Sequence, residues 1–162
     1  MRTIHRKQRR AAGFTLIEVL VVIGIIAVLA AVVLVAVNPS RQFKLARDSQ
    51  RTSNVNALLN AVGQNMSEHK GVFTCAGASH DLPMAPIYVR SVPVGDPDAI
   101  GDIAQCLVPD YLAALPFDPS RPGAHFASTT DYDTGYQMYK DINGRIVASS
   151  TGELVASISV TR

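Results

Sequence analysis

The chain has 162 residues, of which 48% are hydrophobic and 17% are charged, and it contains no tryptophan. This length suits one modest domain with an anchor and leaves little room for an enzyme active site. The formal net charge is +2, but the first ten residues hold five of the 15 lysines and arginines, so the remaining 10 face 13 acidic residues. The basic character belongs to a short leader, whose cations are Arg2, Arg6, Lys7, Arg9 and Arg10.

An apolar segment follows this leader. From Val19 to Val37 there is no charged or strongly polar side chain. A helix over that stretch would be about 28 Å long, which matches the hydrocarbon core of a bilayer. Cations before the span favour a cytoplasmic N-terminus. The sequence therefore predicts a membrane or filament-core helix over residues 14–37, with the rest of the chain outside the cytoplasm.

Glu18 lies near the start of this apolar segment. A carboxylate inside a membrane helix costs about 2.5–3.5 kcal/mol on insertion scales. It therefore needs a cationic partner. The free α-amino group that a cut after Gly13 would create is the most economical candidate.

The leader, Gly13 and the sequence FTLIE at residues 14–18 together resemble the class III signal of the type IV pilin superfamily. That superfamily contains type IV pilins and the pseudopilins of type II secretion and competence. The resemblance implies that a prepilin peptidase cuts the Gly13–Phe14 bond, removes residues 1–13 and methylates the Phe14 amine. It also implies that Glu18 neutralises the amino terminus of a neighbouring subunit. The alternative is a plain anchor or a secretory signal, whose apolar core is usually about 7–15 residues.

A second helix follows Asn38-Pro39 and extends to about residue 68. Proline lacks a backbone donor and disfavours helix at the preceding residue, so we expect one long helix with a kink at Pro39. The apolar positions of the second half have helical spacing and predict a core-facing stripe. Its members are Val55, Leu58, Leu59, Val62 and Met66.

A loop rich in Gly, Pro, Ser and Asp is expected over residues 69–107, in the place of the αβ-loop of pilins. Its one predicted strand is Ile87–Arg90. Cys75 and Cys106 form an even pair without a Cys-x-x-Cys or zinc spacing, which favours a disulfide. Two buried free thiols are the alternative.

An antiparallel sheet is predicted over residues 135–161. Alternating patterns cover residues 135–140 and 154–160, and Asn143-Gly144 supplies a hairpin turn before residues 145–148. The sequence YLAALPFDP at residues 111–119 resembles the segment before the sheet in major pseudopilins and related pilins. The Trp-Gly-Asn-Pro that often follows there is absent, which weakens assignment to the secretion branch. The expected fold is α+β and pilin-like, with a long kinked N-terminal helix packed on the sheet and a globular head over residues 38–162.

No catalytic residue and no resident cofactor are expected. Ser79, His80 and Asp81 are contiguous, whereas the members of a catalytic triad converge from different chain segments. Calcium is the one ion considered, because acidic loops can hold it and major pseudopilins carry a calcium-binding loop. Neither acidic group matches a complete calcium loop, so no metal site is predicted. The two groups are Asp96, Asp98 and Asp102, and Asp131, Asp133, Asp141 and Asn143.

Four cations form a basic stripe after Pro39: Arg41, Lys44, Arg47 and Arg51. Such a stripe could contact DNA, but it is more often solvated or paired with carboxylates. Asp48 is one partner within the chain. DNA is therefore not expected as a partner.

The resemblance implies that the chain is a structural subunit of a type IV pilus or pilus-like filament. The resemblance implies four partners: identical or homologous subunits, prepilin peptidase, an inner-membrane assembly platform, and membrane lipid before assembly. The precursor would be a single-pass protein of the cytoplasmic membrane, and the mature subunit would lie in an extracellular pilus or a periplasmic pseudopilus. A secretion or competence pseudopilin is the first alternative, and a membrane-anchored extracytoplasmic binding protein or enzyme is the second.

Overall fold

A computed structural model describes residues 13–75, 78–91 and 103–162 of the chain. The chain divides into two compact units, Met1–Gln42 and Phe43–Arg162. The second is called the C-terminal unit below.

The first helix, α1, spans Leu16–Val37 and has no buried residue. By length and composition it could cross a membrane. It ends at Asn38, whose φ of 46° lies in the left-handed region, and α2 begins at Pro39. The backbone thus interrupts the helix next to the proline. The kink expected at Pro39 stays a prediction.

The second helix, α2, spans Pro39–Glu68 and supplies one wall of the core. Four members of the predicted stripe are buried, and Met66 is partly buried against the same core. The predicted core-facing stripe is therefore confirmed. Burying these apolar side chains against the sheet stabilises a helix whose other face is polar.

The C-terminal unit also contains a short helix and seven strands. These elements are β1 Thr74–Cys75, β2 Ala78–Ser79, β3 Ile87–Arg90, α3 Ile103–Leu107, β4 His125–Ser128, β5 Asp131–Lys140, β6 Ile146–Ser150 and β7 Ile158–Thr161. The main sheet is antiparallel, with the order β3-β5-β6-β7 and with β4 paired to the start of β5. The long central strand β5 thus pairs with three others, and β1 and β2 form a separate two-stranded hairpin.

An apolar N-terminal helix followed by a C-terminal antiparallel sheet is an α+β arrangement, and the predicted fold class is confirmed. The predicted strand Ile87–Arg90 is β3. Four short elements were not foreseen. These are the hairpin strands β1 and β2, the helix α3, which buries Ile103 and Leu107, and the edge strand β4.

A disulfide joins Cys75 of β1 to Cys106 of α3, with the two Cα atoms 4.7 Å apart. The predicted pairing is confirmed. The bridge joins two very short elements, of two and five residues. The end of α2 is fastened to β1 as well, because the Asn65 amide donates to the Thr74 carbonyl and accepts the Thr74 N–H, both at 2.9 Å.

The last strand is shorter than its alternating pattern predicted. Residues 151–157 are irregular, and β7 begins only at Ile158. The cause is a competing set of hydrogen bonds. The carboxylate of Asp48 on α2 accepts the backbone N–H groups of Glu153 and Leu154, at 2.8 and 2.9 Å. Those donors are therefore directed to the helix and not to a sheet ladder.

Candidate functional site

The N-terminus of α1 is closed by a reciprocal pair of hydrogen bonds. Thr15 Oγ1 accepts the Glu18 N–H at 3.3 Å, and the Glu18 carboxylate accepts the Thr15 N–H at 3.4 Å. This capping box satisfies two backbone donors that a helix start leaves without partners. Phe14 directly precedes Thr15. The Glu18 carboxylate is therefore bonded to the residue that directly follows Phe14, whose nitrogen would become the new amino terminus after cleavage at Gly13.

The apolar side chains around this cap are exposed. Phe14 is 81% exposed and Leu16 is 82% exposed. No residue of α1 is buried. Apolar surface on this scale is unfavourable in water. The helix therefore needs an apolar environment, which either lipid or the apolar helices of other subunits supply.

Residues 8–34 match the family model of the prokaryotic N-terminal methylation motif. The chain carries the class III signal peptide of type IV pilins and pseudopilins. The predicted resemblance to this signal is thus confirmed, and the match includes Gly13, Phe14, Glu18 and most of α1. A search of curated proteins and a search of solved structures gave no significant match.

The methylation motif supports a type IV pilin-like or pseudopilin protein, and it points to a structural subunit rather than an enzyme. Together with the apolar helix, it suits a membrane-anchored precursor. The individual roles of Gly13 in cleavage, Phe14 in methylation and Glu18 in assembly stay predictions.

A second polar constellation lies inside the C-terminal unit and surrounds Arg51, whose side chain is 3% exposed. Its guanidinium donates to Asp48 at 2.7 Å and to Asp118 at 2.8 and 3.0 Å. It also donates to Glu153 at 3.1 Å and to the hydroxyl of Ser120. Arg47 adds two bonds of 2.6 Å to Glu153. These side chains are called the Arg51 cluster below: Arg47, Asp48, Arg51, Asp118, Ser120 and Glu153.

The Arg51 cluster keeps its carboxyl groups ionised. Hydrogen bonds, led by that from Arg47, lower the pKa of Glu153 to about 2. Burial would raise the pKa of Asp48, but the N–H groups of Glu153 and Leu154 and the Arg51 guanidinium outweigh burial, so that this pKa is lowered. The Arg51 pKa is raised, chiefly by its bond to Asp118. Ionised carboxylates with their lone pairs occupied are suited to holding structure and not to proton transfer.

Part of the predicted basic stripe belongs to this cluster. Arg47 and Arg51 are neutralised by carboxylates of the same chain, and Asp48 is confirmed as a partner within the chain. Sequence reasoning missed Asp118 and Glu153. The sequence did contain a sign that this part of α2 carries buried charges, since Asp48 and Arg51 fall on the same helical face as Val55. Charges on a core-facing stripe must find partners when they are buried.

The remaining sequence candidates take structural roles. No hydrogen bond joins the side chains of Ser79, His80 and Asp81, and the His80 ring meets Phe73 edge-on at 6.1 Å. Asp131 accepts from His125 at 3.0 Å, and Asp141 accepts from Arg145 at 2.8 Å.

Within residues 13–75, 78–91 and 103–162, no three His, Cys, Asp or Glu side chains form a group that could hold a metal ion. The acidic group of Asp96, Asp98 and Asp102 lies outside the described residues.

Proposed function

We propose that the chain is a structural subunit of a type IV pilus or pilus-like filament. One observation carries this proposal: the methylation motif of residues 8–34 overlaps an apolar helix that has no buried residue. Such a helix is stable in lipid before assembly and among the helices of identical or homologous subunits after it. The C-terminal unit has its own core and disulfide, so that it stays folded during this transfer.

Processing would prepare the subunit. A prepilin peptidase cuts between Gly13 and Phe14 and methylates the new amino terminus, and an inner-membrane platform then moves the subunit into the filament. The charged amine enters an apolar environment and needs an anion. Glu18 supplies that anion for the amine of a neighbouring subunit, since paired buried charges are far less costly than single ones.

The location follows from the same steps. The precursor is a single-pass protein of the cytoplasmic membrane with a cytoplasmic leader, and the mature C-terminal unit faces the periplasm or the exterior.

A pseudopilin of type II secretion or competence is the alternative within the same structural class. The sequence YLAALPFDP at residues 111–119 is compatible with it, because this resembles the segment before the sheet in major pseudopilins and related pilins, whereas the missing Trp-Gly-Asn-Pro weakens an assignment to the secretion branch. In the fold, this segment buries Leu115 in the core and contributes Asp118 to the Arg51 cluster. A membrane-anchored binding protein or enzyme is the third possibility, and no described constellation favours catalysis.

Electron microscopy of cells with a label on the C-terminal unit tests the proposal. We expect labelled filaments in the wild-type strain and their loss when the gene is deleted. Long filaments on the cell surface indicate a pilus, whereas short periplasmic filaments with a secretion or uptake defect indicate a pseudopilus. Label that stays evenly distributed in the membrane under conditions in which the protein is processed would contradict both.

A further inference from the structure

A cavity of about 230 Å³ with a largely polar set of lining side chains lies against the sheet of the C-terminal unit. Its walls come from four parts of the fold: Arg51 of α2, the strands β3, β5 and β6, the loop that contains Arg121, and the segment that follows β6. Pockets for drug-sized ligands are about 300–1,000 Å³. This cavity is therefore of the size that suits a single-ring ligand.

The floor is a row of polar side chains on neighbouring strands. Tyr88 of β3 is paired with Gln137 of β5, and Gln137 is paired with Ser149 of β6. Paired residues point to the same face of a sheet, so these three side chains converge. All three are half-buried, and within the described part of the chain the Gln137 amide and the Ser149 hydroxyl form no hydrogen bond.

Arg121 lies beside this row, and most of its guanidinium N–H groups remain available to a ligand. One guanidinium nitrogen donates to the Gly135 carbonyl at 3.1 Å, and the guanidinium carbon lies 4.2 Å from the centre of the Tyr88 ring. Gly135 makes room for it, because a Cβ there would lie 2.9 Å from Arg121 Cδ. Within residues 13–75, 78–91 and 103–162, Arg121 has no carboxylate partner.

The acidic side chains of the same cavity have their oxygens occupied by hydrogen bonds. Asp118 and Glu153 line it, but both accept from Arg51, and Glu153 accepts from Arg47 as well. Arg121 is therefore the charged group of this cavity whose side-chain N–H groups remain available for direct pairing with a ligand. The other available groups are neutral: the Gln137 amide and the hydroxyls of Ser149 and Thr151.

We propose that this cavity binds one acidic sugar ring of the hexuronate class. Its carboxylate binds the free N–H groups of Arg121, and its ring hydroxyls bind Gln137, Ser149 and Thr151. A guanidinium and a carboxylate form strong, directional hydrogen bonds, whereas amides and hydroxyls both donate to and accept from sugar hydroxyls. The site lies wholly in the C-terminal unit and does not depend on filament formation.

Saturation-transfer NMR on the full chain, in a zwitterionic detergent without a sugar headgroup, tests this proposal. Glucuronate and glucose are the matched probes, since they differ only in the carboxylate. We expect saturation transfer to glucuronate with a millimolar dissociation constant, and binding of glucose weaker by about tenfold or more, since a charge-assisted pair is lost. No transfer to glucuronate, or equal transfer to both sugars, would overturn the proposal.

Two variants locate the site. Arg121→Gln removes the charge and Gln137→Ala removes a side chain without a hydrogen-bond partner, and each should weaken glucuronate binding severalfold. Arg145→Gln changes an exposed arginine outside the cavity and should leave binding unchanged. Circular dichroism confirms that each variant is folded. Wild-type affinity in a folded Gln137→Ala and a folded Arg121→Gln variant would place the sugar elsewhere and refute the assignment.

Discussion

Glu18 has one role that the structure shows and a second that is proposed. As a hydrogen-bond acceptor it completes the capping box with Thr15. As an anion near the start of an apolar helix it can neutralise an amino terminus. The first role needs only an oxygen at this position, whereas the second needs the charge. Glutamine supplies the oxygen without the charge, so that the two roles can be separated.

Glu18→Gln should therefore keep the helix cap and leader cleavage but reduce filament yield strongly. Losing one partner of a buried pair costs about 3–5 kcal/mol. Glu18→Ala also removes the acceptor for the Thr15 N–H, so that the helix start keeps only the Thr15 half of its capping box. The measurement is filament yield per processed subunit, in strains whose only copy carries each variant. Yields equal to wild type in both strains would show that this carboxylate has no assembly role.

Arg51 is the residue on which the C-terminal unit depends most for polar pairing. Arg51→Met keeps much of the side-chain volume but leaves Asp48 and Asp118 without their cation. We expect the free energy of unfolding to fall by about 3–5 kcal/mol in urea titrations. Arg145→Met removes an exposed ion pair and should cost less than about 1 kcal/mol. Similar losses for the two variants would mean that the Arg51 cluster is not a buried ionic core.

At the level of elements, segment 151–157 is a place where the sequence pattern predicts the start of a strand that does not form there. The alternation that predicted a strand over residues 154–160 begins inside this segment, but the Asp48 carboxylate accepts the N–H groups of Glu153 and Leu154. That competition joins residues more than a hundred positions apart, and no local pattern reports it. The helical stripe of α2 was predictable, because periodicity is a local property. The short elements α3 and β4 were missed because tertiary contacts stabilise them.

Acid should loosen segment 151–157 from α2. The Glu153 pKa is lowered from 4.5 to about 2, and those of Asp48 and Asp118 are lowered too. A carboxyl whose pKa is lower in the folded protein stabilises it above the ordinary pKa, and the stabilisation is lost as pH falls toward the folded value. The free energy of unfolding should therefore fall between pH 4.5 and about 2.

Hydrogen exchange at the amides of Glu153 and Leu154 measures this release directly. We expect protection at neutral pH and its loss over the same acid range, after correction for intrinsic exchange rates. Glu153→Gln should flatten part of this pH dependence, whereas Asp110→Asn, at an exposed position, should not. Protection that stays constant across the range would contradict the electrostatic account of this segment.

The disulfide should stabilise the fold mainly by lowering the conformational entropy of the unfolded chain. Cys75 and Cys106 are 31 positions apart, and closing a loop of this size is worth about 3–4 kcal/mol in the chain-entropy model. We expect the double variant Cys75→Ala/Cys106→Ala to unfold at lower urea concentration by a corresponding amount. A non-reduced peptide map of the wild-type protein supplies the control. An unchanged urea midpoint would mean that the Asn65–Thr74 bonds alone hold this region.

At the scale of the whole molecule, the two units differ in what they need from outside. The C-terminal unit buries its apolar side chains internally, against α2, α3 and the sheet. The N-terminal helix buries none. This difference was readable from the sequence, since an uninterrupted apolar run and an amphipathic stripe are distinct patterns. The partners of Arg51 and the polar cavity beside Arg121 were not, because both are assembled from distant segments.

The most direct test of the account is the mass of the N-terminal peptide in purified filaments. If the chain is a processed filament subunit, the protein in the filament fraction begins with N-methylated Phe14, and residues 1–13 are absent. The matched control is Gly13→Glu, which should block cleavage and leave the full-length precursor in the membrane fraction with no filaments. Filaments built from protein with an intact Gly13–Phe14 bond, or processed protein that never appears in filaments, would contradict the account.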